Sequence, residues 1–295
     1  MLLSNGSTKL VIEKWFIPMD VVMLISTSFV VFVSFISLLI LIFTKTNRSI
    51  LTLLICNSYL SELMFASVMF SMAKFSLLND LKEIESKDSL CVYRGYLSYT
   101  FSAVRSHSYL LQSLYRYFHI KCPTHSFCQS AKKPILLIIL SWILSIVHPF
   151  PFLFSNQIEY DATNQVCHML FEKKFYIFYT CFLSYLNPIG IIIFIYFKLV
   201  RYVQRMSQVV TPVNQLLRIK REFQMVRRIV ILIIVLVTLG LPYTIFFSMS
   251  FFTSPPKYHF RIAFFSVDLS LALVIIALFQ FTDPISEFLN RLYKN

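Results

Sequence analysis

Residues 21–43 read VVMLISTSFVVFVSFISLLILIF, and no charged side chain interrupts them. A helix rises 1.5 Å per residue, so about 20 apolar residues cross a bilayer core of about 30 Å. Because lipid offers the backbone no hydrogen-bonding partner, such a run is predicted to be a helix. The sequence contains seven runs of this kind, at 17–43, 50–76, 91–118, 134–154, 175–200, 225–252 and 260–283. We therefore predict an all-α, seven-transmembrane helix bundle.

Composition and charge support a membrane protein. The 295 residues are 57% hydrophobic and only 14% charged, against about 25% charged in soluble domains. The net charge of +13 could indicate nucleic-acid binding, but the Lys and Arg residues gather on one side of the predicted bundle. Such an excess marks the cytoplasmic side, so the N-terminus is expected outside. Nucleic acid is thereby not expected as a partner. The lipid bilayer is the expected partner. The Lys and Arg residues on the predicted cytoplasmic side are Lys45, Arg48, Lys121, Lys132, Lys133, Lys198, Arg201, Arg205, Arg218, Lys220, Arg221, Arg227, Arg228, Arg291 and Lys294.

The runs leave little chain for other domains. We predict an extracellular N-terminus over 1–16, a seven-transmembrane domain over 17–284, and a short cytoplasmic amphipathic helix with the C-terminal tail over 285–295. Asn5 begins an Asn-Gly-Ser triplet on the predicted outer side. It is either a glycosylation site or a chance match.

Two of the six cysteines lie on the predicted outer side. Cys91 begins the third run, and Cys167 follows the fourth. An oxidising compartment favours a disulfide between them, and two free thiols are the alternative. Cys56 and Cys181 lie within apolar runs and are expected to pack as small residues.

Several landmarks occur in order along the whole chain. On the third run, Arg116 follows Cys91 by 25 residues. The further landmarks are Trp142, Pro188 with Tyr196 eight residues later, Pro242, Asp283-Pro284, and the short amphipathic segment 288–293. Together with Tyr117 after Arg116, these features resemble the rhodopsin-like G-protein-coupled receptors.

That resemblance implies a plasma-membrane receptor with an extracellular ligand and a heterotrimeric G protein as partner. It implies prolyl kinks at Pro188, Pro242 and Pro284, with helix 6 moving outward at its inner end about Pro242. Arg116, Tyr117 and Tyr196 would face the G protein. By helix position, the candidate pocket residues are Arg94, Ser98, Tyr99, Ser102, Tyr185, Tyr243 and Phe247.

The sequence also departs from the family pattern. Ser37, Glu62, Tyr115, Gly240 and Glu287 replace, in order, the usual Asn, Asp, acid, aromatic switch residue and Tyr. Two further positions exclude ligand classes. Ala277 stands where visual pigments carry the retinal-binding Lys, and Ser98 stands where amine receptors carry an Asp. The resemblance therefore favours a peptide or a small, lipid-like molecule over retinal or an amine.

Three ionisable residues are predicted within the bilayer. Burial of such groups costs roughly 2.5–3.5 kcal/mol each on insertion scales, which makes them functional candidates. Glu62, Arg105 and Asp283 match positions that surround a sodium site in the family. We expect the Arg105 guanidinium to bridge the two carboxylates and exclude sodium. The alternative is that Arg105 bonds a nearby carbonyl or hydroxyl.

Two further charged residues, Arg116 and Arg94, each have two alternative interactions. Glu222 begins the sixth run and would latch Arg116 from across the bundle, unless it is merely solvated among neighbouring cations. Arg94 would meet an anionic ligand group or pair with Asp268.

No other chemistry is predicted. The six His residues lack metal-ligand spacing, and the four Gly residues form no phosphate loop. An enzyme, a metal and a cofactor are therefore not expected. The alternative functions are a receptor-shaped protein that binds ligand without coupling and, less favoured, a seven-helix transporter.

Overall fold

The protein is described from a computed structural model. The described residues are 13–43, 49–82, 89–121, 130–169, 174–208, 234, 237–238 and 240–281. Asn5, Glu222, Asp283, Pro284, Glu287 and the predicted amphipathic helix lie outside them.

The first four predicted runs are helices. They are α1 at Phe16–Phe43, α2 at Ile50–Lys82, α3 at Cys91–Lys121 and α4 at Lys132–Val147. A 3-10 turn, Phe150–Leu153, follows α4. α2 continues to Lys82, beyond the end of its apolar run, because polar residues can extend a helix into the aqueous layer. Run lengths thus set which segments are helical but not where the helices end.

The fifth helix, α5, has three parts. A segment Lys174–Cys181 leads through a π-helical turn, Phe182–Leu186, into Asn187–Gln208. The turn ends just before Pro188, whose missing N–H favours a local break in the hydrogen-bond ladder. α6 is helical over 240–249, and α7 spans His259–Phe281.

Five of the described helices are long and apolar enough to cross a membrane, namely α1, α2, α4, α5 and α7. α3 is more polar because it lies inside the bundle, where it contacts α2, α4 and α5. α1 packs against α2 and α7. This arrangement makes α3 the central helix.

Polar side chains join the central helices. The hydroxyl of Ser58 donates to Ser108 over 3.1 Å, and Gln112 Nε2 donates to Ser58 over 2.5 Å. The indole of Trp142 on α4 donates to Asn57 over 2.9 Å. Small serines allow close approach of α2 and α3, and the hydrogen bonds satisfy polar groups away from water.

The loop between α4 and α5 contains a hairpin that the helical pattern did not predict. This loop lies on the side of the bundle that the charge distribution predicts to be extracellular, which is called the outer side below. β1, Ile158–Asp161, pairs antiparallel with β2, Val166–Met169, in a register that places Tyr160 opposite Cys167. Gln165, in the connecting turn, has φ 54°, a left-handed conformation that occurs in turns. The hairpin packs onto the outer end of α3.

Candidate functional site

A cavity of about 140 Å³ opens between α3, α5, α6 and α7. Five of the predicted pocket residues line it, namely Ser98, Tyr99, Ser102, Tyr185 and Tyr243. The sequence did not single out Met69, Ile177, Thr180, Cys181, Ser184, Thr244, Phe264, Val267 or Ser270, which also line it.

Two of the predicted pocket residues do not line the cavity. The guanidinium of Arg94 lies over the Phe75 ring, 5.3 Å from its centroid. Phe247 is buried and packs edge-on against Phe251, with ring centroids 5.2 Å apart.

The hairpin lies over the outer side of this cavity. Cys91 and Cys167 form the predicted disulfide, with Cα atoms 5.3 Å apart. The backbone N–H of Met169 donates to the Tyr99 hydroxyl over 3.1 Å. A Cβ at Gly95 would lie 2.6 Å from Ile158, so this glycine allows the hairpin to sit close to α3. The hairpin is therefore fixed to the wall of the cavity.

Arg105 lies at the inner end of the cavity, paired with Glu62. Its Nε is 4.0 Å from Glu62 Oε1, and both side chains are buried. The Tyr109 hydroxyl donates a short hydrogen bond to the same carboxylate oxygen. The face of the Phe65 ring lies 4.8 Å from the guanidinium. The structure thus brings together two members of the predicted cluster, and the third, Asp283, lies outside the described residues.

Asp268 is the second carboxylate near Arg105. It is 1% exposed, and the charges that act on it are those of Arg105 and Asp20. Arg94 is not among the charges that act on Asp268, which is buried in the bundle.

Gly240 on α6 stands against Tyr185 on α5. A Cβ at Gly240 would meet the Tyr185 hydroxyl and lie 2.8 Å from its Cζ. The ring of Tyr185 therefore occupies the space beside Gly240, and a side chain at position 240 would require this ring to move. Gly240, where the family usually carries an aromatic residue, is compatible with this position of the ring.

A buried charge cluster at the outer end of the bundle was missed by the sequence analysis. Arg261 of α7 is 1% exposed, and its Nη2 donates to Asp20 of α1 over 2.7 Å and to Asp80 of α2 by a shorter bond. The Phe16 ring lies 4.0 Å from the guanidinium. The outer triad Asp20–Arg261–Asp80 thus joins three helices.

The outer triad also reaches the hairpin. Asn164, in the β1–β2 turn, accepts a hydrogen bond from the Arg261 backbone N–H over 3.2 Å and donates to Asp161 over 2.6 Å. His168 Nε2 lies 3.6 Å from the same carboxyl group. Burial alone would raise the pKa of Asp161, but the nearby His168 and Asn164 lower it from 3.8 to about 2.

At the inner end, Arg116 and Tyr196 come together. The guanidinium of Arg116 donates a hydrogen bond to the Tyr196 hydroxyl. Tyr115, which replaces the usual acid, is buried and stacks on His119 at 5.8 Å. Tyr117 accepts a hydrogen bond from Lys121 over 3.0 Å. α3 and α5 therefore meet where the resemblance places the G-protein surface.

Comparisons with known proteins agree with this architecture. The model of the 7 transmembrane receptor (rhodopsin family) matches residues 20–285. No curated protein matches the sequence. The crystal structure of squid rhodopsin superposes with a TM-score of 0.77 at 15% identity, covering 97% of this chain and 91% of that chain. At this identity the superposition shows the fold alone. The family match spans nearly the whole chain, and the protein therefore belongs to the rhodopsin family of seven-transmembrane receptors.

Proposed function

We propose that this chain is a plasma-membrane receptor, with its N-terminus outside, that binds an extracellular ligand in the cavity and activates a heterotrimeric G protein. The observation that carries the proposal is the position of the cavity. Its α6 wall consists of Gly240, Tyr243 and Thr244, the residues that flank Pro242. A ligand in the cavity would therefore contact α6 at its predicted hinge.

A hydrogen bond couples α3 to α6 at the same level. The hydroxyls of Tyr99 and Tyr243 are bonded to each other, and Tyr99 also accepts from the hairpin at Met169. A ligand that displaces Tyr243 would favour a different position of α6, provided that it binds that state more tightly. The outward state would open an inner crevice beside Arg116 and Tyr196.

The experiment is nucleotide exchange on purified Gα proteins with membranes that contain the receptor and a panel of peptides and small molecules. We expect one class of Gα to respond. Arg116→Ala should abolish the response at equal surface expression, and Arg201→Ala is the matched control, since Arg201 is exposed on α5 and lies over Phe197 at 4.0 Å. Ligand binding without exchange on any Gα would refute coupling.

The second candidate is a receptor-shaped protein that binds ligand without coupling. Tyr115 and Gly240 favour it, since both depart from positions that the family uses for activation. The same assay separates the two candidates.

A further inference from the structure

The guanidinium of Arg105 is incompletely hydrogen-bonded. The residue lines the cavity, yet it is only 5% exposed. Its Nε and Nη1 are buried and find no hydrogen-bond acceptor among the described residues. A buried guanidinium without acceptors is costly, since each donor has lost its bonds to water. The site therefore has unused capacity to bind a group that accepts hydrogen bonds.

The neighbours of Arg105 hold its side chain without filling that capacity. Glu62 approaches Nε to 4.0 Å, which is an ion pair but too long for a hydrogen bond. The Tyr109 hydroxyl donates to the same Glu62 oxygen. Phe65 lies against the guanidinium face, where it cannot accept an in-plane N–H. The cation is thus held in place while its Nε and Nη1 donors stay unsatisfied.

In the described part of the chain, the cavity wall presents a single cation, with the carboxylates of Glu62 and Asp268 near it. Of the described residues that line it, Arg105 is the one charged side chain, and none is Asp or Glu. Both Glu62 and Asp268 lie outside the wall. Hydroxyl groups of Ser98, Ser102 and Ser184 add further polar contacts, and Phe65, Met69 and Phe264 supply apolar surface. A ligand with one anionic head and an apolar body matches both parts.

We propose that the cavity binds a compact amphipathic carboxylate, with the carboxylate on the Arg105 guanidinium and an aryl or short alkyl body toward α5 and α7. Hydrogen bonds between a guanidinium and a carboxylate are charge-assisted and stronger than neutral ones. The cavity of about 140 Å³ limits the size, since a cavity of about 150 Å³ holds benzene. The proposal rests on the proposed ligand-binding role of this cavity, but not on G-protein coupling.

Saturation binding on the purified full-length protein tests the proposal. The probes are radiolabelled 3-phenylpropanoate and hexanoate, and the controls are 3-phenylpropanol and hexanol, which keep the bodies and lose the charge. We expect saturable binding of the acids, at least about tenfold tighter than that of the alcohols.

Three variants test whether the carboxylate of the ligand contacts Arg105. Arg105→Gln should lower acid affinity at least about tenfold and leave alcohol affinity within about twofold. Arg94→Gln is the matched control, because it makes the same change on α3 outside the cavity. Glu62→Gln keeps the size and the hydrogen bond with Tyr109 but removes the competing carboxylate, so acid affinity should rise several-fold.

The same binding measurements can contradict the proposed carboxylate site. Equal binding of acids and alcohols, no saturable acid binding, or acid affinity unchanged in Glu62→Gln would overturn the proposal. If Arg105→Gln does not fold, the change of acid affinity in Glu62→Gln still tests whether the carboxylate binds beside Arg105. Nucleotide exchange with another ligand but no acid binding would leave the proposed function standing while this inference fails.

Discussion

Arg261 of α7 donates a hydrogen bond to Asp20 of α1 over 2.7 Å, although the two residues lie 241 positions apart in the sequence. Asp80 of α2 accepts from the same nitrogen. The triad holds two acids and one base. Nη2 of Arg261 bonds both carboxylates, whereas its Nε and Nη1 and one oxygen of each carboxylate have no hydrogen-bond partner among the described residues. The triad closes the outer end of α1, α2 and α7 as one unit.

Arg261→Gln should destabilise the protein strongly. The change leaves two buried carboxylates without their cation, and breaking a buried pair costs about 3–5 kcal/mol. We expect a large fall in the midpoint of thermal unfolding in detergent, together with reduced surface expression. Lys257→Gln is the control, since Lys257 is an exposed cation four residues earlier. Equal effects of the two variants would contradict a structural role for the outer triad.

The disulfide should contribute as a single unit. Cys91→Ser and Cys167→Ser each remove the same bond, and removal of a native disulfide typically costs about 2–5 kcal/mol. The double variant should therefore be no less stable than either single variant, as measured by thermal unfolding and surface expression. Cys56→Ser, on a free thiol, is the control. Strictly additive losses would argue against the bond.

Sodium should not stabilise the protein specifically. The buried cation of Arg105 beside Glu62 repels a second cation at this position. Unfolding midpoints in NaCl and KCl at equal ionic strength should therefore agree. Arg105→Ser vacates the site next to Glu62, and where this variant folds, NaCl should stabilise it more than KCl. A sodium-specific effect in the parent protein would show that the charge cluster is wrongly inferred.

The predicted latch concerns Glu222, which lies outside the described residues. If Glu222 restrains Arg116 in the inactive state, Glu222→Ala should raise ligand-independent nucleotide exchange. Lys220→Ala, two residues earlier, controls for a general loss of charge. Unchanged basal exchange at matched surface expression would exclude the latch.

The Asp161 contribution to stability should persist at mildly acidic pH. Its folded-state pKa of about 2 lies below the ordinary 3.8, so the charged form stabilises the hairpin above pH 3.8. That contribution is lost as the pH falls toward 2. The difference in unfolding midpoint between the parent and Asp161→Asn should not fall between pH 7 and 5, and it should shrink below about pH 4. A difference that already vanishes at pH 5 would contradict this assignment.

The helices and the family were predictable because their signals are local. Each apolar run is continuous, and the landmarks such as Arg116 and Pro242 keep fixed spacing. The Glu62–Arg105 pair was also predictable, since both residues interrupt apolar runs near their centres. Such interruptions are rare enough to attract attention.

The outer triad was not predictable from the same signals. Asp20 and Arg261 lie near the outer ends of their runs, where single charges commonly reach water. Only the packing of α1 on α2 and α7 shows that these ends converge. The available signal was the presence of charged residues at the outer ends of three neighbouring helices. The hairpin was missed because strands of four residues carry too little periodicity.

Positions 185 and 240 have a consequence for how this receptor diverges from its family. The Tyr185 ring fills the space beside Gly240, so a side chain gained at 240 requires the ring at 185 to move or to become smaller. Substitutions at the two positions are therefore expected to be energetically coupled, since residues in contact do not act independently. The effect of a side chain at 240 should depend on which residue stands at 185.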